Sequence, residues 1–258
     1  MLFHTYGDRT KFSLMLLPGL GVSYEIFLPL IERLQGQFHI AAAEVDGFLL
    51  GGHSEYTSVA DQAAQAITHV KQHLGGHLDC AYGLSMGGKI LSRMLEDGGL
   101  DIGHAVLDAA PLLPLPRWLV GPLRYFQCAN VWTCYHWTGF WKRAFRSHYF
   151  DVLLDECKKV WPYGKSRAVL DGYKDIYTHG LEAIAGRPDI HFWYGTKEAF
   201  VAKPQVKHLL KLYPETRVEV FRGMNHGQLL VDKPDEVAER LINLVRKRQA
   251  LDGSITHG

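Results

Sequence analysis

Five consecutive residues, Gly83-Leu84-Ser85-Met86-Gly87, form a Gly-x-Ser-x-Gly pattern. Composition alone makes such a pattern weak evidence, so its surroundings decide what it means. Leu78 to Leu84 is an apolar run that predicts a buried strand, and helical periodicity begins at Met86 and runs to Leu95. A strand that turns at once into a helix strains the residue at its apex. Side chains on either flank would collide with the neighbouring strand and helix, which explains a glycine on both sides. The turn lifts the Ser85 hydroxyl above the sheet edge at a helix N-terminus, where dipole and free N–H groups favour developing negative charge. That is the setting of a nucleophile attacking a carbonyl carbon. A helix N-cap would account for the serine but not for the paired glycines.

A serine hydroxyl at neutral pH needs a base within hydrogen-bond reach. The chain offers fourteen histidines, so position must select among them. His226 lies in Arg222-Gly223-Met224-Asn225-His226-Gly227, between the last predicted strand and the last helix. A loop there faces the same sheet edge as Ser85. His191 falls inside a predicted strand, His208 on a helix and His257 in the C-terminal tail.

These residues need a scaffold, and the chain alternates strand-like and helix-like segments in the manner of a mostly parallel sheet flanked by helices. Predicted strands are Phe12 to Leu17, His39 to Val45, Leu78 to Leu84, His104 to Leu107, His191 to Tyr194 and Arg217 to Phe221. Predicted helices are Ile26 to Leu34, Thr57 to Leu74, Met86 to Leu95, Val206 to Leu212 and Asp235 to Arg248, with a frayed tail after Ala250. Between Asp108 and Asp189 the rhythm breaks. Pro111, Pro114 and Pro116 cluster there, and about 75 residues follow with helical patterning and no strand. We therefore expect a core domain from residues 1–111 and 187–258, with residues 112–186 inserted as a helical cap. The insert holds five of the six tryptophans, Trp118, Trp132, Trp137, Trp141 and Trp161. Most are expected to form the cap's own small core, with some facing the core domain.

Taken together, LLPGLG after an early strand, VDGFLLGGHS, GLSMGG, WYGTKE after a late strand and GMNHG near the end resemble the α/β-hydrolase family over nearly the whole chain. The resemblance implies the α/β-hydrolase fold, a Ser85–His226 pair and a carboxylate that holds the imidazole tautomer. The family usually places Asp after the penultimate strand; here Gly195-Thr196-Lys197-Glu198 puts Glu198 in that place. Asp108, after the preceding strand, is the rival. The resemblance also implies an oxyanion hole from the backbone N–H groups of Leu20 and Met86. Pro18 stands where the family commonly has histidine, which removes a side chain that braces the loop but not the amide.

The implied activity is acyl transfer to water through an acyl-enzyme, on a small, partly apolar carboxylic ester or thioester. C–C bond hydrolysis, amide cleavage and transfer to another alcohol would use the same groups. A non-catalytic ligand receptor on this fold is a rival, though such a pocket has no use for a Ser–His pair. Cofactor-free chemistry with His226 as base is another. No HExxH, CxxC or strand-linked GxGxxG occurs, so neither metal nor cofactor is expected. Twenty-eight Lys and Arg against 27 Asp and Glu give no electrostatic reason to expect nucleic acid or an anionic membrane as partner. No apolar run nears the ~20 residues of a membrane helix, the N-terminus lacks a signal-peptide pattern, and the four cysteines suggest no disulfide framework. A cytoplasmic location is the expectation.

Overall fold

The computed structural model describes residues 1–161 and 166–255, with side chains described through residue 247. One seven-stranded sheet organises the chain: β1 (Leu2–Tyr6), β2 (Phe12–Leu17), β3 (Phe38–Glu44), β4 (His77–Leu84), β5 (Asp101–Asp108), β6 (Asp189–Gly195) and β7 (Arg217–Phe221). Their spatial order is β1-β3-β2-β4-β5-β6-β7. β1 pairs antiparallel with β3; every other pairing is parallel. The helices are α1 (Leu28–Leu34), α2 (Val59–His73), α3 (Met86–Asp97), α4 (Arg117–His136), α5 (Thr138–Phe145), α6 (His148–Val160), α7 (Ser166–Thr178), α8 (Ala199–Leu212), α9 (Gln228–Asp232) and α10 (Pro234–Ile255).

Parallel strands covered on both faces carry near-continuous apolar runs, and β3 is buried along its whole length, its only polar residues being His39 and Glu44. The two-residue period of a strand then sorts side chains into two cores. Met15, Leu17, Ala81 and Leu107 face α2, α3 and α8, whereas Leu14, Leu16, Tyr82 and Trp193 face α1 and α10. Removing each large apolar side chain from water contributes about 1.5–3 kcal/mol, so the central strands hold the sheet edge rigid beneath the loops.

Local chemistry explains where the elements differ from expectation. β1 was not anticipated: it is a half-exposed edge strand without a continuous apolar run. The expected helix from Ile26 opens instead as a 3-10 turn, Tyr24–Phe27, capped by Ser23, and becomes α-helical at Leu28. α2 starts at Val59 because the Ser58 hydroxyl accepts from the Asp61 amide. α8 begins at Ala199, seven residues earlier than expected, with Pro204 inside it. The short helix α9 was also unforeseen. α10 continues to Ile255 where a frayed tail was expected, and residues 256–258 lie outside the described residues.

Four helices, α4 to α7, lie between β5 and β6, in the stretch expected to be a helical insert without strands. Polar ties from three of their side chains, together with the Lys159–Glu25 ion pair, fasten them to the rest of the chain. Asp175 of α7 accepts from the Tyr56 hydroxyl and the Val59 amide, each at 2.9 Å. Glu156 of α6 accepts from Ser23, and Tyr149 of α6 donates to the His226 carbonyl. The expectation that most inserted tryptophans would be core does not hold. Trp118, Trp132 and Trp137 are 74%, 43% and 55% exposed. The helices pack through Val120, Leu154, Val160, Val169 and Ile176 instead. The aromatic-rich composition of this stretch gave no sign of which face would turn outward.

Candidate active site

Ser85 sits between β4 and α3 with φ +54° and ψ −113°, a strained conformation for a residue with a side chain. Its amide donates to the Asp108 carbonyl at 2.8 Å and its carbonyl accepts from Lys89 at 3.1 Å, so the strained residue is held from both sides. The flanking glycines are sterically required. A Cβ on Gly87 would stand 2.0 Å from the Leu17 carbonyl oxygen of β2, and one on Gly83 would stand 2.5 Å from the Gly87 oxygen. The neighbouring strand and the new helix therefore leave room for no side chain at either position.

His226 and Glu198 are brought together by two loops stitched along their backbones. Lys197 N–H donates to the Met224 carbonyl at 3.0 Å, and Gly223 N–H to Thr196 Oγ1 at 2.9 Å. Gly195 permits this approach, because a Cβ there would lie 2.1 Å from the Met224 oxygen. Across the seam, His226 Nδ1 lies 2.7 Å from Glu198 Oε2, while Glu198 Oε1 accepts from the Gly195 amide at 3.1 Å. The carboxylate is thus oriented on both oxygens, with its side chain only 12% exposed.

The imidazole borders a cavity and is half exposed to it, yet it lies deep among the loops. Desolvation opposes its charge, but the hydrogen bond and negative charge of Glu198, with a further contribution from Asp108, prevail and raise its pKa. Asp108 itself is buried at the end of β5 and accepts from the Tyr82 hydroxyl rather than from the imidazole. Burial pushes its carboxyl up to about 7, against the opposing effects of the Tyr82 hydrogen bond and of His226. Of the two carboxylates considered from sequence, Glu198 is the one in contact with His226.

Ser85 and His226 together line two cavities. One, about 420 Å³, is walled by Leu20 and Val22 on the core side and by Trp141, Phe145, Phe150 and Leu153 from α5 and α6. The other, about 320 Å³, is bounded by Ala109, Pro111, Tyr177, Phe192, Glu198 and Gln205. The hydroxyl and imidazole do not make a hydrogen bond in this arrangement, and such bonds commonly tighten only around bound substrate. Leu20 follows β2 on the first cavity's wall, its side chain packed at Gly172 of α7. The Met86 amide is the first of α3 and so has no partner within its own helix. Two groups near the site escaped the sequence reading. Tyr149 supports the His226 loop from α6, but it is one aromatic among many in that stretch. Tyr82 engages Asp108, but it reads only as one residue of a buried strand.

Among the described residues, no group of three or more His, Cys, Asp or Glu side chains could hold a metal ion. Likewise no helix among them is long and apolar enough to cross a membrane.

No curated protein matches the sequence. Solved structures share the fold at low identity. An alpha/beta hydrolase family protein from Desulfitobacterium hafniense superposes with a TM-score of 0.79 at 14% identity, covering 95% of this chain and 100% of that one. An enol-lactonase from Burkholderia xenovorans gives 0.74 at 15%, covering 95% and 96%. A thermophilic esterase from Thermogutta terrifontis gives 0.73 at 15%, covering 95% and 93%. A sequence model of the alpha/beta hydrolase family matches residues 14–240. With that match spanning most of its length and the fold to accompany it, the chain belongs to the alpha/beta hydrolase family.

Proposed function

We propose that the protein is a serine hydrolase that cleaves a small, partly apolar carboxylic ester or thioester through an acyl-enzyme. The observation that carries this reading is the joint placement of a strained Ser85 and a Glu198-oriented His226 on the walls of the same two cavities. Ser85 Oγ attacks the carbonyl carbon while His226 Nε2 takes its proton, giving a tetrahedral oxyanion held by the Leu20 and Met86 amides. Collapse expels the alcohol or thiol, which takes the proton from His226. Water then attacks the acyl group on Ser85 with the imidazole again as base, and the carboxylic acid leaves. Glu198 keeps the Nδ1 proton in place and stabilises the imidazolium. Asp108 is not given this role, because its carboxylate faces Tyr82.

The two cavities suit the two halves of an ester, one for the acyl chain and one for the leaving group. Residues 112–186, with helices α4 to α7, are assigned as the cap that roofs the larger cavity; its aromatic wall favours an apolar acyl chain. The esterase and lactonase described by the structural neighbours act on bonds of this kind, which supports the reading without identifying the substrate.

A series of p-nitrophenyl esters from acetate to octanoate tests it. Turnover should depend on Ser85, and kcat/KM should rise by up to about fourfold per methylene while the chain still fits, from ~0.8 kcal/mol per buried CH2. Folded protein that turns over none of them, or a Ser85→Ala variant that matches the parent, contradicts the proposal.

A further inference from the structure

Helix α4 is apolar on both of its long faces. Val120, Leu123, Gln127, Val131 and Cys134 turn inward, while Trp118, Pro122, Tyr125, Ala129, Trp132 and His136 recur three and four apart on the opposite, exposed face. Trp118 is 74% exposed, Tyr125 59% and Trp132 43%. Trp137 and Phe140, where α5 begins, extend the row at 55% and 61% exposure. A lone exposed aromatic needs no explanation, but a row along a helix face marks a surface that is covered in use.

Charge indicates what covers it. Between Asp108 and Asp151 the chain has no acidic residue and five basic ones, Arg117, Arg124, Lys142, Arg143 and Arg146. Lys142 is neutralised by Asp155 of α6. Arg117, Arg143 and Arg146 are exposed, and Arg124 lies over the Tyr125 ring. The near-zero net charge of the whole chain conceals this local excess. A second copy meeting the same face would bring like charges together. Trp and Tyr combined with Arg are the side chains that settle in the headgroup region of a bilayer, and a basic helix with an aromatic face is the form that lies in that plane.

We propose that the outer face of α4 and the start of α5 is a docking surface for an anionic lipid bilayer, on which the protein lies without crossing it. The inner sides of the same helices, through Gln127, Val131 and Trp141, line the larger cavity. Docking would therefore set that cavity over the lipid phase.

The test is sedimentation of the full chain with phosphatidylcholine vesicles with and without phosphatidylglycerol, read together with tryptophan emission. The Ser85→Ala protein is used throughout, so that binding is measured independently of whether Ser85 is the nucleophile. Binding should require phosphatidylglycerol, weaken with salt and shift tryptophan emission to the blue. Each arginine near an anionic surface is worth about fivefold in partitioning, so Arg117→Ala with Arg143→Ala should weaken binding about 25-fold. Trp118→Ser with Trp132→Ser should weaken binding and cut the emission shift to the part that Trp137 contributes. All four side chains are exposed, and an unchanged melting temperature checks that the variants fold. Three results would overturn the proposal: no binding to the charged vesicles, binding indifferent to both double variants, or a self-associated parent that the tryptophan substitutions render monomeric.

Discussion

Replacing Glu198 with glutamine changes one atom and leaves the loop's shape alone, yet the structure makes it a severe perturbation. In the parent, Oε1 accepts from the Gly195 amide at 3.1 Å and Oε2 faces His226 Nδ1 at 2.7 Å. A glutamine amide has one acceptor and one donor end. The Gly195 N–H can only donate, so it claims the oxygen and turns the NH2 toward the imidazole. Nδ1 must then be the bare nitrogen and the ring proton moves to Nε2, the atom that has to receive the Ser85 proton. The alternative orientation sets two donors against each other at Gly195 and leaves that amide unpaired. An amide that enforces the wrong tautomer lowers turnover by about 10⁴ in the best-understood Ser–His–acid site. Here Glu198→Gln should lower kcat/KM by about 10³–10⁴, or ~4–5.5 kcal/mol of transition-state stabilisation. Ester hydrolysis under kcat/KM conditions measures this, with circular dichroism to confirm folding. A loss of less than about tenfold would show that Glu198 has no part in orienting His226.

Two further predictions follow from the charges at the site. If His226 is the base proposed above, its raised pKa means that kcat/KM should fall tenfold per pH unit below a midpoint higher than 6.5. The protonated His226–Glu198 pair works the other way on stability: its contribution is full below the ordinary imidazole value and is lost as pH rises through the folded one. A midpoint at or below 6.5 would contradict the raised value. Asp108 is protonated in the folded chain up to about 7 but only to 3.8 when unfolded, so its ionisation opposes folding as pH climbs between those values. The difference of about three pH units sets an upper bound of ~4 kcal/mol. Asp108→Asn keeps an acceptor for Tyr82, and its melting temperature should gain on the parent between pH 5 and pH 9; a gap independent of pH would show that the carboxyl is not held protonated.

Much of this architecture was legible in the sequence because its causes are local. The five inner strands announced themselves as apolar runs, since parallel strands covered on both faces have no polar period to obscure them, whereas β7 showed as an alternating edge segment. Ser85 was legible because the turn that carries it admits glycine alone on both sides. His226 could be placed by topology, as a loop between the last strand and the last helices must open at the same edge. β1 was not legible: its stability comes from pairing with β3 along one edge, and Leu2, His4 and Tyr6 carry too little apolar signal to show it. The place of Glu198 after the penultimate strand favours it over Asp108, but its contact with His226 was not itself legible. It depends on two hydrogen bonds between loops and on a tyrosine, Tyr82, that engages Asp108 from the adjacent strand. The tryptophans of residues 112–186 misled for a related reason, as helical periodicity gives the faces of a helix but not which one turns toward the protein.

The account depends above all on Ser85 being an activated nucleophile. Intact-mass spectrometry after brief treatment with a fluorophosphonate, followed by peptide mapping, measures that directly. We expect stoichiometric phosphonylation confined to Ser85, absent from Ser85→Ala and slowed at least a hundredfold in His226→Ala. Folded parent protein that stays unmodified, or that is labelled elsewhere with Ser85 untouched, would contradict it.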